Sequence, residues 1–432
     1  MTIVQITPLL TEELFQHIWQ YRLFNQAGLT SLEGEPVQII FPGRRNTNAG
    51  PDFIAARIRI GKTQWAGNVE LHLRTSDWYR HRHQHNPQYG NMILHVVFEH
   101  DVTAPVPSDV PCLELQQYIP KLLLRRYAYL RQSEAFVPCG MNAAKTPPLV
   151  LMAWKDRLMA ERLERKAGIM QGWLRQNKYN WEEVCYWAIV RSFGGPVNSE
   201  MFLQLARSLP YQLVLRHRHN LLQLEALLFG QAGMLEGSFE EEYPQHLQKE
   251  YAFLRHKYRL QPLQGRLWKW LRMRPSSFPT IRIASLAHLL YRHAHFFSQI
   301  METTELPALE KWLDMPPSPY WEYHYRFDTP VVQTRRPAKA AIHNILINTV
   351  LPLLYLYGKE RGAAHYQERA LNMMARLPAE ENSVIKGWKE TGMEAECAAD
   401  SQALLELRQS YCEQKKCLDC AIGVRLLRQG LA

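Results

Sequence analysis

The sequence predicts an α+β protein, in which a small mixed β-sheet near the N-terminus is followed by a large all-α region. Two consecutive segments, Phe53–Ile60 and Gln64–Arg74, alternate apolar and polar residues, and a third, Met92–Glu99, is apolar almost throughout. Alternation is typical of a half-buried strand, and a short unbroken apolar run indicates a central one. After residue 120 the apolar residues recur at helical spacing, with Gly and Pro between the segments.

The N-terminal elements are predicted in the order helix, three strands, short helix, strand. Residues 11–26 have helical periodicity, and Thr11 is a suitable N-cap. Pro36–Phe41 is the first strand, and Gly61–Lys62 is a two-residue turn that joins the second and third strands. A polar connector with a short helix after Ser76 leads to the fourth strand.

The length of 432 residues is too great for a single core, so we predict two domains. The first, residues 1–118, contains the sheet, and a Pro-rich stretch near its end marks the boundary. The second, residues 119–432, is helical, and its last part, residues 397–432, is rich in cysteine.

Composition narrows the class of protein. Lys and Arg outnumber Asp and Glu by 51 to 41, which favours an anionic partner such as nucleic acid. The most apolar helix, residues 342–358, is interrupted by Asn and Pro, so we expect a buried core helix and no membrane span. Seven scattered cysteines and the lack of a signal-peptide pattern predict a cytoplasmic protein with reduced thiols. The oligomeric state is left open.

Two acids and a histidine lie in the predicted hairpin. The two-residue turn places Asp52 opposite Leu71, and therefore beside Glu70 and His72 along the sheet. Face parity opposes a shared site, because the apolar stripe puts Asp52 on the other face from Glu70 and His72. A common metal ion therefore requires a bulge, at the start of the strand or near Gly67.

Several phrases resemble a bacterial family known only as a domain of unknown function. They are NAGPDF, GNVELH, SDWYRH and ILHVV, and later EALLFGQAG, FPTIRIA and CLDCAIG. The resemblance covers essentially the full length and implies no activity.

The first hundred residues also resemble the αβββαβ core of the PD-(D/E)XK nuclease superfamily. That core carries an Asp at the start of its second strand, an acid and a Lys two residues apart on the third, and often a Glu on its first helix. The resemblance makes Asp52 the first acid, Glu70 the second, and Glu13 or Glu12 the helix acid. His72 stands where the family has Lys, which leaves open whether such a site is active.

The resemblance implies a metal-dependent nuclease. Asp52 and Glu70 would hold Mg²⁺ or Mn²⁺, and His72 would position the attacking water. Phosphate would contact three arginines, Arg44, Arg45 and Arg74. The alternative is a non-catalytic nucleic-acid-binding or scaffold protein that retains the fold. The simplest interpretation is a solvated sheet face with ordinary cross-strand charge pairs.

A histidine cluster follows the third strand. His81, His83 and His95 could form an alternative metal site, since imidazole is a common ligand of transition metals. They could equally belong to a basic loop that contacts phosphate or nothing.

The tail contains a third candidate site, Cys412, Cys417 and Cys420, with Cys397 upstream. This spacing could hold zinc or an iron–sulfur cluster. Some proteins with the nuclease core carry a cluster near the chain end with one distant cysteine, which implies Cys139 or Cys397 as the fourth ligand. We favour the simpler interpretation, in which these thiols are small buried side chains at the start of the last helix.

Overall fold

The computed structural model describes residues 10–81, 86–102, 110–334 and 339–430. The chain forms two compact units. Unit 1 consists of Met1–Trp154, Gly387–Met393 and Leu407–Ala432, and unit 2 of Lys155–Lys386 and Glu394–Glu406. A mixed sheet in the N-terminal part is followed by a largely helical region, so the predicted α+β class is confirmed.

The sheet of unit 1 is mixed. Its strands are β1 Val37–Phe41, β2 Arg44–Arg45, β3 Phe53–Ile60, β4 Thr63–Arg74, β5 Met92–Glu99 and β6 Cys112–Glu114. Five strands follow the order β1-β3-β4-β5-β6, and the short β2 pairs with β3. Pairing is antiparallel from β1 to β4 and parallel from β4 to β6.

Apart from the two-residue strand β2, which was not predicted, the strands and α-helices before β5 follow the predicted order. Helix α1, Glu12–Gln20, is shorter than predicted, and the Thr11 hydroxyl caps it by accepting from the Leu14 amide at 3.2 Å. Helix α2, Asp77–Arg80, lies between β4 and β5. The predicted turn at Gly61–Lys62 is confirmed, because Ile60 pairs with Thr63 across it.

Strand β3 contains a bulge. The pairs Phe53–Val69 and Ala56–Gly67 enclose two residues of β3 but one of β4. Ala55 in the bulge has a φ of +56°, a conformation that residues with a Cβ seldom adopt. Because the bulge reverses the alternation, Ile54 is 41% exposed, contrary to its predicted place on the buried face.

The predicted boundary at residue 118 lies inside unit 1, because later helices pack within this unit. Helix α3, Lys121–Gln132, contacts the last helix, α18, Ala421–Arg428. Arg126 on α3 donates a hydrogen bond to the carbonyl of Gln429 just beyond α18. The predicted tail segment 397–432 is therefore divided, and its part from residue 407 onward belongs to unit 1.

Most of the remaining chain is helical. The helices are α4 Pro148–Gln176, α5 Trp181–Phe193, α6 Gly195–Ser208, α7 Tyr211–Arg216, α8 Leu221–Gln231, α9 Glu242–Tyr258, α10 Pro279–Arg292, α11 Phe296–Glu302, α12 Leu306–Leu313, α13 Lys339–Ile345, α14 Leu351–Arg361, α15 Ala364–Arg376, α16 Ser383–Glu390 and α17 Ala398–Glu406. A two-stranded hairpin consists of β7 His324–Arg326 and β8 Thr329–Pro330.

One continuous helical segment, Lys339–Arg361, has the length and composition of a membrane span. It contains a π-helical turn at Leu346–Val350 between α13 and α14. Within unit 2, 56% of its most apolar window is buried, and Leu346 and Leu351 are fully buried. This burial agrees with the predicted core helix.

Candidate active site

The bulge in β3 brings Asp52 and Glu70 together. The Phe53–Val69 pair places Asp52 opposite Glu70, rather than opposite Leu71 as the regular ladder predicted. The backbone amide of Asp52 donates a hydrogen bond to Glu70 Oε2 at 2.9 Å. The Leu71 amide in turn donates to Asp52 Oδ2 at 3.1 Å. The bulge that the parity argument required therefore exists, at Ile54–Ala55 rather than at the predicted positions.

Glu70 is buried, Asp52 is half-buried, and their two carboxyl groups repel each other. Burial raises the pKa of Asp52 to about 6. Burial, reinforced by the negative charge of Asp52, raises the pKa of Glu70 to about 8. Near neutral pH the pair therefore retains a proton, because two adjacent carboxylates in a poorly solvated place ionise together only at a large cost. A divalent cation removes that cost by supplying positive charge.

Helix α1 contributes an amide and an acid to the site. Gln16 Nε2 donates to Asp52 Oδ1 at 2.7 Å, and the Gln16 carbonyl oxygen accepts from Arg45 Nη2 at 3.1 Å. The negative charge of Glu12, one turn before Gln16, acts on both Asp52 and Glu70. Glu13 is exposed, so the structure favours Glu12 among the two predicted helix acids. The i,i+4 spacing from Glu12 was the sequence signal for Gln16, which the prediction missed.

His72 is buried at the centre of a row of imidazoles. Its Nε2 lies 3.7 Å from Glu70 Oε1 and 3.2 Å from His81 Nδ1. Its Nδ1 lies 2.9 Å from His95 Nε2. His81 and His95 thus contact opposite nitrogens of the His72 ring. The third residue of the predicted alternative site, His83, lies outside the described residues.

The three predicted phosphate ligands differ in their distance from the carboxyl pair. Arg44 and Arg45 are exposed on β2, and Arg45 reaches Asp52 through Gln16. Arg74 is exposed at the end of β4, where its Nε lies 3.9 Å from a Glu99 carboxylate oxygen. Arg45 is therefore the arginine that hydrogen bonds connect to the site.

The donor set suits a cation that keeps part of its water. Among the described residues, no three His, Cys, Asp or Glu side chains form a group able to hold a metal ion. Mg²⁺ does not need such a cage, since one or two carboxylates, water and substrate phosphates commonly complete its coordination. Asp52 and Glu70 fit this kind of binding.

The tail cysteines are placed differently from the prediction. Cys412, Cys417 and Cys420 line a small cavity in unit 1, and the fourth cysteine of its lining is Cys139. Cys397 belongs to unit 2, where it forms an isolated antiparallel bridge with Pro378. Cys397, one of the two predicted candidates for the fourth cysteine, is therefore not among the residues that line this cavity, whereas the other candidate, Cys139, is.

Comparison with known proteins identifies a family. Residues 12–383 match the family model described as "Protein of unknown function (DUF2851)", in agreement with the full-length resemblance. Neither the curated proteins nor the solved structures provide a match.

Proposed function

The chain belongs to the DUF2851 family, whose description assigns no function, and from its site geometry we propose a metal-dependent nuclease with a PD-(D/E)XK-like core. Asp52 and Glu70 would hold Mg²⁺ or Mn²⁺. The observation that carries this proposal is the bulge in β3, which places the two carboxyl groups opposite each other on adjacent strands. A plain solvated sheet face does not require a strained Ala55 at this position.

A bound divalent ion would orient a scissile phosphate and lower the pKa of a coordinated water. The surrounding residues form the binding site before the ion is bound. Burial and mutual repulsion keep Asp52 and Glu70 poorly compensated without a cation. The amides of Leu71 and Gln16 fix the Asp52 carboxylate from two directions, so its oxygens are held in place before the ion arrives.

His72 takes the place of the Lys of the related motif as a positioning residue. Its side chain is almost fully buried, and its ring contacts Glu70 on one side and two imidazoles along the row. Hydrogen bonds to the imidazoles on both sides hold the His72 ring in place beside Glu70.

Nucleic acid is the proposed substrate class. The net charge of +10 favours a polyanion. Arg45 is exposed beside the carboxyl pair, where its guanidinium is available to a phosphate near the ion.

The test is cleavage of single- and double-stranded DNA and RNA with Mg²⁺ or Mn²⁺. We expect Asp52→Asn and Glu70→Gln to lower the rate about 100-fold or more, since each removes a ligand charge. Glu99→Gln is the matched control, because Glu99 is an acid of the same sheet whose partner is Arg74. Equal rates for wild type and both site variants would refute the proposal.

A non-catalytic nucleic-acid-binding protein is the second candidate, and the observation in its favour is His72. Its ring nitrogens contact neighbouring imidazoles, whereas a Lys would present an ammonium group. If this candidate is right, wild type binds labelled nucleic acid without cleaving it. The variant His72→Lys then restores the lysine of the motif. Metal-dependent cleavage by this variant would indicate that an ancestral activity was lost. Unchanged binding without cleavage would indicate that the site never had this activity.

A further inference from the structure

Four cysteine thiols line one cavity in unit 1. These cysteines are distant in sequence from Asp52 and Glu70. Cys139, Cys412, Cys417 and Cys420 are between 7% and 8% exposed. The empty space that they line, counted with its open mouth, is about 250 Å³. One cysteine comes from the loop before α4 and three come from the last quarter of the chain, which the fold returns to this loop.

The local backbone is adapted to bring these thiols together. Cys412 ends a π-helical segment, Leu407–Cys412, a kind of turn that is often found at functional sites. Cys420 is the N-cap residue of α18. A Cβ on Gly423 would lie 2.2 Å from the Cys417 carbonyl oxygen, so the glycine allows the Cys417 turn to approach α18.

The surroundings favour thiols over thiolates as long as no cation is bound. Burial raises the pKa of Cys139 to about 12 and that of Cys417 to about 11. Burial raises the pKa of the Cys420 thiol, and the backbone amides of Gly423 and Ile422 oppose that rise. Such amide donors also stabilise thiolates that are bound to metal.

We propose that Cys139, Cys412, Cys417 and Cys420 form a tetrathiolate site for a thiophilic metal, either a zinc ion or an iron–sulfur cluster. Four cysteine sulfurs are a common ligand set for both. The site does not depend on the nuclease proposal. It would join the loop before α4 to the C-terminal segment inside unit 1, so its role is structural.

The two metals make different demands on the same thiols. One zinc ion requires all four sulfurs within about 2.3 Å of a single point, whereas a cluster holds its sulfurs further apart around several metal atoms. In the described part of the chain the thiols share a cavity but do not already form a single-ion group. The free space inside the cavity is about 20 Å³, so binding of either metal requires the four side chains to move from these positions.

The experiment measures metal content in the full-length chain, purified without air and without chelators. We expect about one zinc, or about four iron atoms with a visible absorption band, per chain. Cys139→Ser and Cys420→Ser should lose most of this metal. Cys397→Ser is the matched control and should keep it, because Cys397 belongs to the other unit.

Wild type alone also decides the question if the serine variants fail to fold. Zinc and iron both far below one atom per chain, in protein expressed with added zinc or iron, would overturn the proposal and leave four buried thiols. Equal metal loss in Cys397→Ser and Cys139→Ser would also overturn it, because the ligand set would then be a different one. Neither result bears on cleavage by the carboxyl pair.

Discussion

Two buried glutamates, one in each unit, have opposite electrostatic surroundings. In unit 2, Glu406 is 3% exposed, and its carboxylate lies 3.1 Å from Arg162 Nη1 and 2.7 Å from Arg165 Nη2. In unit 1, Glu70 is 5% exposed and faces a second carboxyl group, Asp52. The first arrangement neutralises charge within the chain, and the second accumulates it.

This difference separates a structural charge from a candidate site. An ion pair with hydrogen bonds gives a buried carboxylate a permanent countercharge, so it needs nothing from outside the protein. Adjacent buried acids raise each other's pKa, and such perturbed groups are more frequent at functional sites. The contrast predicts opposite responses to mutation, to pH and to divalent ions.

The largest effect is expected from deleting Ile54 and Ala55 together. Without these two residues the regular ladder places Phe53 opposite Asn68 and Asp52 opposite Val69, so Asp52 lies on the other face from Glu70. We expect cleavage to fall about 1000-fold, equivalent to about 4 kcal/mol of transition-state stabilisation. Rates of metal-dependent cleavage, together with circular dichroism to verify folding, measure this.

Ala55→Gly is the control for the deletion. Glycine adopts the φ of +56° without strain, so the bulge and the carboxyl pair remain. This variant should cleave as wild type does and should be more stable by about 1 kcal/mol. Normal cleavage by the deletion variant would show that the bulge does not create the site.

The next effect concerns stability. Glu406→Gln leaves Arg162 with its charge uncompensated although its side chain is only 12% exposed. Breaking such a pair should cost about 3 kcal/mol. Glu70→Gln should cost less than about 1 kcal/mol at neutral pH, since Glu70 with a pKa of about 8 already holds a proton there. Urea unfolding of the two variants compares them, and equal losses would contradict the distinction.

The pH dependence of stability follows from the same raised pKa values. The folded protein binds protons at Glu70 and Asp52 more tightly than the unfolded chain does. The resulting stability is therefore fully present below pH 4 and is lost as the pH rises to about 8. The loss should be at least about 3 kcal/mol without metal, because the raised pKa of Asp52 alone corresponds to that amount.

Mg²⁺ should reverse part of this loss, because it binds the ionised pair in the folded state only. Thermal unfolding from pH 5 to pH 8, with and without Mg²⁺, measures both effects. Glu70→Gln should flatten the pH profile and remove most of the response to Mg²⁺. A profile that is unchanged in this variant would assign the titration to another group.

Sequence patterns predicted the strands and turns, which depend on neighbouring residues. Features that depend on contacts between distant residues came from the structure. The alternation in β3 and β4, the turn at Gly61–Lys62 and the strand β5 were all predictable because they follow from periods within short segments. The bulge at Ala55 was required by the argument, but its position was not predictable, since alanine carries no turn signal. Cys139 joined the tail cysteines through the packing of segments that are far apart in sequence.

The smallest effect is expected at Gln16, which supports the carboxyl pair without belonging to it. Its side-chain amide donates to Asp52 Oδ1 at 2.7 Å and so favours the ionised form of Asp52. Gln16→Ala should raise the pKa of Asp52 further and weaken metal binding by about 1 kcal/mol, or about 5-fold.

The expected signature is a pH–rate profile whose acidic limb moves to higher pH, with the maximal rate nearly unchanged at saturating metal. Gln20→Ala is the matched control, because Gln20 is the last residue of α1 and lies one turn further along the helix. If Gln16→Ala instead lowers the maximal rate as much as Asp52→Asn does, Gln16 contacts the reacting groups directly. Its role would then not be limited to orienting Asp52.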